Sequence, residues 1–347
     1  MQPGVAVGVI GAGRIGRVHA ENLSCRIPDA RIEAITDVNI EAAKRCAAEY
    51  GIATVVRDYR TILDNPDIEA VLICSSTDTH SRIIEDAAEA GKHIFCEKPI
   101  DYNLSSIDKA LQKVDRAGVK LQIGFQRRYD PNFIKVRTLS QQGTLGKLYI
   151  LRITSRDPEP PPISYIKASG GLFLDMMIHD FDMARYLIGS EVEEIYTAAG
   201  AMVDPEIGKA GDVDTAMVTL KFRNGIISTI DCCRRSGYGY DQRVELFGSG
   251  GMARVENELQ NRTRLTTGAG VQEEPPLFFF VERYREAFIL EIKEFIHCIL
   301  NDEIPAVTGI DGRISVVMGQ AAKKSLERNR PVKLSELSPL LTTDYQR

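Results

Sequence analysis

Val5-Ala6-Val7-Gly8-Val9-Ile10 runs straight into Gly11-Ala12-Gly13-Arg14-Ile15-Gly16, and the reading of this stretch decides the fold. The apolar run has the composition of a strand buried on both faces. A helical pattern starts at the glycines and continues to about Leu23. Gly-x-Gly-x-x-Gly alone is a weak signal, but between a strand and a helix it becomes specific. Gly11 permits the tight turn, Gly13 lets a pyrophosphate approach the backbone, and Gly16 lets the helix lie close to the sheet. Phosphates then meet the helix N-terminus, where free N–H groups and the helix dipole favour anions. A purely structural Gly-rich turn is the plainer alternative.

The next strand, Arg31-Ile32-Glu33-Ala34-Ile35-Thr36, ends at Asp37, close to the spacing of about 20 residues at which an acidic side chain reads a ribose. A carboxylate there accepts from the ribose hydroxyls and repels a 2′-phosphate. Val38 and Asn39 follow rather than an arginine, so the pattern points to NAD over NADP. Asp37 also fits an N-cap for a helix starting near Ile40. Ala70-Val71-Leu72-Ile73-Cys74 reads as another buried strand and runs into Ser75-Ser76-Thr77-Asp78-Thr79-His80, at the carboxyl end where open α/β sheets bind ligands. Ser76, Thr77 and His80 are cofactor candidates there; turn or cap roles fit equally. A helix is expected from about Ser81 to Ala90. His93-Ile94-Phe95-Cys96 leads to Glu97-Lys98-Pro99. An ammonium at that strand end suits stabilisation of a developing alkoxide, against the alternative of a solvated surface lysine. After a helix to about Ala117, Lys120–Gly124 forms one more strand. Strands alternating with helices predict a doubly wound parallel sheet, and hence a Rossmann domain over residues 1–124.

From residue 125 the pattern changes. Gln126-Arg127-Arg128-Tyr129-Asp130 is a basic turn leading into a helix, and Asp157–Pro162 is a Pro-rich loop. Thr215–Phe222 and Ile226–Cys232 flank Asn224-Gly225, a strong hairpin signal. Arg243–Phe247 and Met252–Val255 bracket a further Gly-rich turn, and Tyr284–Asn301 and Gly312–Glu327 read as amphipathic helices. Residues 125–347 are therefore expected to form an α+β domain with a large open, mainly antiparallel sheet, ending in a tail over 334–347. Such a sheet can leave one face free, and a broad free face often becomes a subunit interface.

Within that domain, residues 170–189 read as one helix, with Gly170-Gly171 just before it and Leu172, Met176, Met183, Ala184 and Leu187 on a core face. Asp175 and His179 are four apart and would share a face, with Asp182 three further on. A carboxylate beside an imidazole favours the imidazolium and steadies the ring, which suits a general base. A surface i,i+4 pair is the blander alternative, and the spacing offers no set of metal ligands.

Composition narrows the field. At 347 residues the chain exceeds the roughly 250–300 at which single cores stop growing, so two domains are expected. Net charge is −5 with no long basic run, which argues against nucleic acid. Apolar runs stop short of the roughly 18 residues a membrane span needs. The start shows no basic flank or cleavage site of a signal peptide. The seven cysteines form no C-x-x-C pair. Free buried thiols and a reducing cytoplasm are expected.

The Gly11–Gly16 loop, Glu97-Lys98-Pro99, and Gly170-Gly171 followed by Asp175, His179 and Asp182 together resemble the Gfo/Idh/MocA oxidoreductases, with motifs in order along nearly the whole chain. Thr36-Asp37-Val38-Asn39, Arg127-Arg128-Tyr129-Asp130, Ser155-Arg156-Asp157-Pro158 and Tyr240-Asp241-Gln242-Arg243 are similar to the inositol 2-dehydrogenase branch of that family. The resemblance implies that Gly11, Ala12, Gly13, Arg14, Ile15, Gly16, Asp37, Ser76, Thr77, His80, Glu97 and Lys98 hold NAD. It implies that Lys98, Asp175 and His179 carry the chemistry, and that a member of the Arg127/Arg128 pair and a tyrosine of the Tyr238–Tyr240 region lie near a polyol. The implied reaction is NAD-dependent oxidation of a cyclic polyol to a ketone, with myo-inositol the first substrate to consider. Scyllo-inositol, another sugar or glucoside, or a silent NAD- and sugar-binding regulator are the alternatives. A homotetramer is the implied assembly.

Overall fold

The computed structural model describes residues 4–338; of the tail expected over 334–347, the part from 339 onward lies outside the described residues. Two compact units emerge. One comprises the described residues up to Tyr129 together with Glu286–Val316; the other comprises Asp130–Arg285 and the described residues from Val317. The first crossing falls a few residues beyond the expected boundary at 124, and the chain then returns to the first unit for the segment starting at Glu286.

The first unit carries six parallel strands: β1 (Val5–Ile10), β2 (Ala30–Thr36), β3 (Thr54–Val56), β4 (Ala70–Ile73), β5 (His93–Glu97) and β6 (Leu121–Gly124). Their order is β3-β2-β1-β4-β5-β6. The strand order reverses between β1 and β4, and ligands bind open α/β sheets at such a switch point. Ile10 lies opposite Ile73, so the loops after β1 and β4 leave the sheet side by side. Helices start and stop where local chemistry dictates. Asn103 accepts from the backbone N–H groups of Ser105 and Ser106 at the head of the helix Leu104–Ala117, and Gly118 ends it in the left-handed region. One core cluster joins Val7, Val9, Leu23, Ile35, Leu72 and Phe95 to Ile292, Phe295 and Ile296 from the late segment. Each such side chain contributes roughly 1.5–3 kcal/mol by leaving water, which accounts for the return of that segment to this unit.

The second unit is built on a seven-stranded sheet of β7 (Leu148–Arg156), β8 (Val192–Gly200), β9 (Thr215–Phe222), β10 (Ile227–Cys233), β11 (Asp241–Gly248), β12 (Gly251–Val255) and the short β15 (Val332–Lys333), with a small separate hairpin of β13 (Arg264–Thr267) and β14 (Gly270–Glu273) between the last two in sequence. Its order is β12-β11-β7-β10-β9-β8-β15. Only β7 and β10 pair in parallel; the other neighbours are antiparallel. Asn224-Gly225 makes the expected hairpin turn, with Lys221 opposite Ile227. Along β9, Ala216, Val218, Leu220 and Phe222 are buried while Met217, Thr219 and Lys221 are exposed. The open face carries Tyr196, Met217, Ile227, Phe247 and Met252, each 40–53% exposed.

Candidate active site

The glycine loop takes the shape its residues require. Gly11 has φ +109°, and a Cβ there would lie 2.5 Å from the Cys74 carbonyl group. A Cβ on Gly16 would lie 2.0 Å from the Gly11 oxygen, so the helix Arg14–Arg26 approaches the loop as no other residue allows. Gly13, Arg14 and Ile15 head that helix, and a Cβ on Gly13 would meet no protein atom within 4 Å. The space above the loop is open where a pyrophosphate would approach. Asp37 closes one side: Ala12 N–H donates to Oδ2 and Asn39 N–H to Oδ1, both at 2.7 Å. The carboxylate is thus fixed beside the loop, and Asn39 serves as the helix N-cap instead, accepting from Ala42 N–H. Val38 is fully exposed. These residues fit a dinucleotide whose ribose meets Asp37.

Beyond β4, the structure corrects the expected helix start: the helix runs Thr77–Glu89, absorbing much of the polar turn. Ser76 precedes it, exposed, and Thr77 begins it. His80 is buried, with Nδ1 2.8 Å from the Pro99 oxygen and Nε2 3.0 Å from the Ser75 oxygen. Burial holds its pKa down although both carbonyls and Glu97 and Asp78 oppose this. The two ring nitrogens face these backbone oxygens, and the one that carries the N–H donates, so this side chain ties the β4 loop to the loop after β5. Glu97 ends β5 opposite Gly124 of β6 and faces His19 Nε2 at 2.8 Å. Lys98 follows, half-buried, at the carboxyl edge of the sheet.

In the second unit, the single helix expected over 170–189 is two helices. Gly171–Asp175 ends with the Met176 and Met177 N–H groups both donating to the Leu172 oxygen, and Ile178–Ile188 starts after them. The break separates Asp175 from His179, so their relation no longer follows from i,i+4 helical spacing. Both are half-buried, while Asp182 between the core residues is buried. Asp175 accepts from the Tyr165 hydroxyl at 3.0 Å and from Arg234 Nη1 at 3.2 Å. Arg234, just past β10, is 1% exposed and also lies 3.9 Å from Asp212. Burial works against its charge, but Asp175, Asp212 and Asp157 outweigh burial and raise its pKa. Asp212 accepts from the Leu172 N–H at 3.0 Å, capping the short helix. A Cβ on Gly171 (φ +79°) would lie 2.5 Å from that carboxylate, which explains the second glycine of the pair.

Arg127 and Arg128 lie in a 3-10 turn over Gln126–Tyr129 and are buried. Arg128 donates to Asp311 at 3.0 Å. Tyr240 is buried, edge-on to Tyr284 at 6.0 Å. Tyr238 is exposed, donates to Asp241 and accepts from Arg156. Tyr165, Asp212 and Arg234 are the site residues the sequence did not reveal. They come from separate elements, and no spacing links them to Asp175.

Two family models match the chain. One, described as an oxidoreductase family with an NAD-binding Rossmann fold, covers residues 5–125, and a Gfo/Idh/MocA C-terminal domain model covers residues 133–254. A myo-inositol 2-dehydrogenase from Thermotoga maritima is 49% identical over 95% of this chain and 99% of its own length. An inositol 2-dehydrogenase from Rhizobium meliloti is 43% identical over 95% and 99%. Among solved structures, scyllo-inositol dehydrogenase from Lactobacillus casei with bound NAD(H) and scyllo-inositol superposes with a TM-score of 0.90 at 30% identity, covering 96% of this chain and 99% of that one.

Proposed function

Because the chain belongs to the Gfo/Idh/MocA family of NAD-binding oxidoreductases, we propose that it oxidises myo-inositol to 2-keto-myo-inositol. The observation that carries this reading is the 49% identity to a myo-inositol 2-dehydrogenase over 95% of the chain. NAD⁺, when bound at Gly11–Gly16 and Asp37, supplies the hydride acceptor. The remaining work falls to side chains. His179 accepts the proton of the reacting hydroxyl. Asp175, gripped by Tyr165 and Arg234, provides a fixed negative charge that favours the protonated form of His179. Lys98 donates to the reacting oxygen as negative charge develops on it. Ser76 and Thr77 support the cofactor. A member of the Arg127/Arg128 pair, with Tyr240, reads the other hydroxyls. His80 acts through the loops it ties.

The assembly in this reading is a homotetramer, supported by the free sheet face with its exposed Tyr196, Met217, Ile227, Phe247 and Met252. No helix among the described residues is long and apolar enough to cross a membrane. None of the seven cysteines is in a disulfide, which supports a cytoplasmic setting in this reading. A panel of cyclic polyols and glucosides, assayed by NADH absorbance, tests the substrate. Fastest turnover of myo-inositol supports the reading. Fastest turnover of scyllo-inositol or a glucoside replaces the substrate, and NADH binding without any turnover would make the protein a sensor.

A further inference from the structure

The segment that ends in Lys98 rests on a buried cluster to which the roles above give no task. His19 comes from the helix Arg14–Arg26, Glu97 from the end of β5, and Glu291 from the helix Arg285–Asn301. One polar atom of each lies within 4.8 Å of the other two. His19 and Glu291 are 0% exposed. Phe95 and Phe288 stand edge-on to the imidazole at 5.1 and 5.9 Å, and Phe295 flanks Phe95. Aromatic rings flank the imidazole on two sides.

His19 Nε2–H donates to Glu97 Oε1 at 2.8 Å. His19 Nδ1 has no hydrogen-bond partner, which suits a lone pair better than a buried N–H. Neither oxygen of Glu291 has a protein partner, an expensive state for an ionised carboxylate. Two ionised carboxylates this close, one of them fully buried, repel each other, and one proton between them removes the repulsion. Glu291, the more deeply buried, is the natural holder. Its O–H then points to the only charged acceptor of the cluster, Glu97, directly or through one water. On the β6 side there is no slack: a Cβ on Gly124 would lie 3.1 Å from the Glu97 carboxyl atoms.

We propose that Glu291 is a positioning residue for Lys98: as a carboxylic acid it donates to the Glu97 carboxylate opposite the His19 N–H, and so fixes the backbone that carries Lys98. The inference rests on the assignment of Lys98 as donor to the reacting oxygen. Burial, then Glu97 and Glu294, push the Glu291 carboxyl well above the usual carboxylate range. The titratable groups facing it are His19 on its helix, Glu97 on β5, Cys74 after β4, Glu294 one turn on, and Tyr129, which donates to Glu294.

The test compares Glu291→Gln and Glu291→Ala in the full chain, with kcat and KM for myo-inositol, NADH affinity and thermal midpoint against pH. The amide of Glu291→Gln replaces the O–H donor, so kcat should stay within about threefold of wild type. Glu291→Ala should lower kcat about tenfold or more while NADH affinity holds. The folded state keeps a proton that the unfolded chain releases above the ordinary glutamate pKa. Wild-type stability should therefore fall as pH rises from that value towards the raised one, and Glu291→Gln should lack this slope. Equal damage from Gln and Ala would mean that the ionised carboxylate is required, and would overturn the proposal, as would an unchanged kcat in Glu291→Ala. Parallel stability curves for wild type and Glu291→Gln would overturn the proton assignment even if Glu291→Ala does not fold. Lys98→Met separates the two layers: full turnover in that variant refutes the role of Lys98, while the pH slope still reports on Glu291.

Discussion

Asp37 offers the sharpest quantitative test of the cofactor site. Its two oxygens each accept a backbone N–H at 2.7 Å, from Ala12 and Asn39, which aims a half-buried charge at the ribose side of the glycine loop. Asp37→Ser removes that charge. A hydrogen bond from a ribose hydroxyl to a carboxylate is worth about 1.5–3 kcal/mol, so kcat/KM for NAD⁺ should fall about 10- to 100-fold. The same change relieves NADP⁺. A 2′-phosphate carries about −1.5 to −2 charge, and two unit charges about 4 Å apart repel by about 4 kcal/mol at an effective dielectric near 20. Relief of that term alone is worth about three decades. The ratio of kcat/KM for NAD⁺ to that for NADP⁺ should therefore drop by roughly a thousandfold or more. Steady-state kinetics with both cofactors, on protein whose melting shows it folded, reads this directly. A ratio within a few-fold of wild type would refute the role given to Asp37 and leave its carboxylate a loop-closing group alone.

Other outcomes follow from the same geometry. His179→Ala should cut turnover by about 10²-fold or more while NADH binding, followed by fluorescence, survives; wild-type turnover would remove His179 from the chemistry. Gly13→Ala places a methyl where no protein atom lies within 4 Å, so the melting temperature should hold while NADH affinity falls; unchanged affinity would mean that no phosphate approaches there. Arg234→Met leaves the carboxylates of Asp175 and Asp212 without their buried partner. A loss of about 3–5 kcal/mol, or roughly 6–20 °C in melting temperature, should accompany a lower kcat. Full stability in that variant would show that the pair carries no structural weight.

The parallel sheet was legible because strands such as Val5–Ile10 and Ala70–Ile73 are short apolar runs ending in loops of recognisable chemistry. The Gly11–Gly16 loop could be read from its place between a strand and a helix, Asp37 from its spacing after it, and the Asn224-Gly225 hairpin from turn chemistry. Three things were not legible, each because long-range packing decided it. The helix break at Met176-Met177 follows an uninterrupted apolar pattern, with neither glycine nor proline to mark it. His80 sits in a polar turn whose composition suggests solvent, yet two carbonyls from separate loops capture its ring. The segment from Glu286 joins the first unit because Ile292, Phe295 and Ile296 complete that core, and an amphipathic pattern does not say which core its apolar face meets. The grip of Tyr165 and Arg234 on Asp175 belongs to the same class.

The most direct test of the central claim is the fate of one hydrogen. Myo-inositol deuterated at C2 is oxidised with NAD⁺ and the reduced cofactor is weighed by mass spectrometry. Transfer of the deuterium to the nicotinamide, with 2-keto-myo-inositol as the other product, is the result the account predicts. Unlabelled NADH, or no NADH while other polyols are consumed, would contradict it.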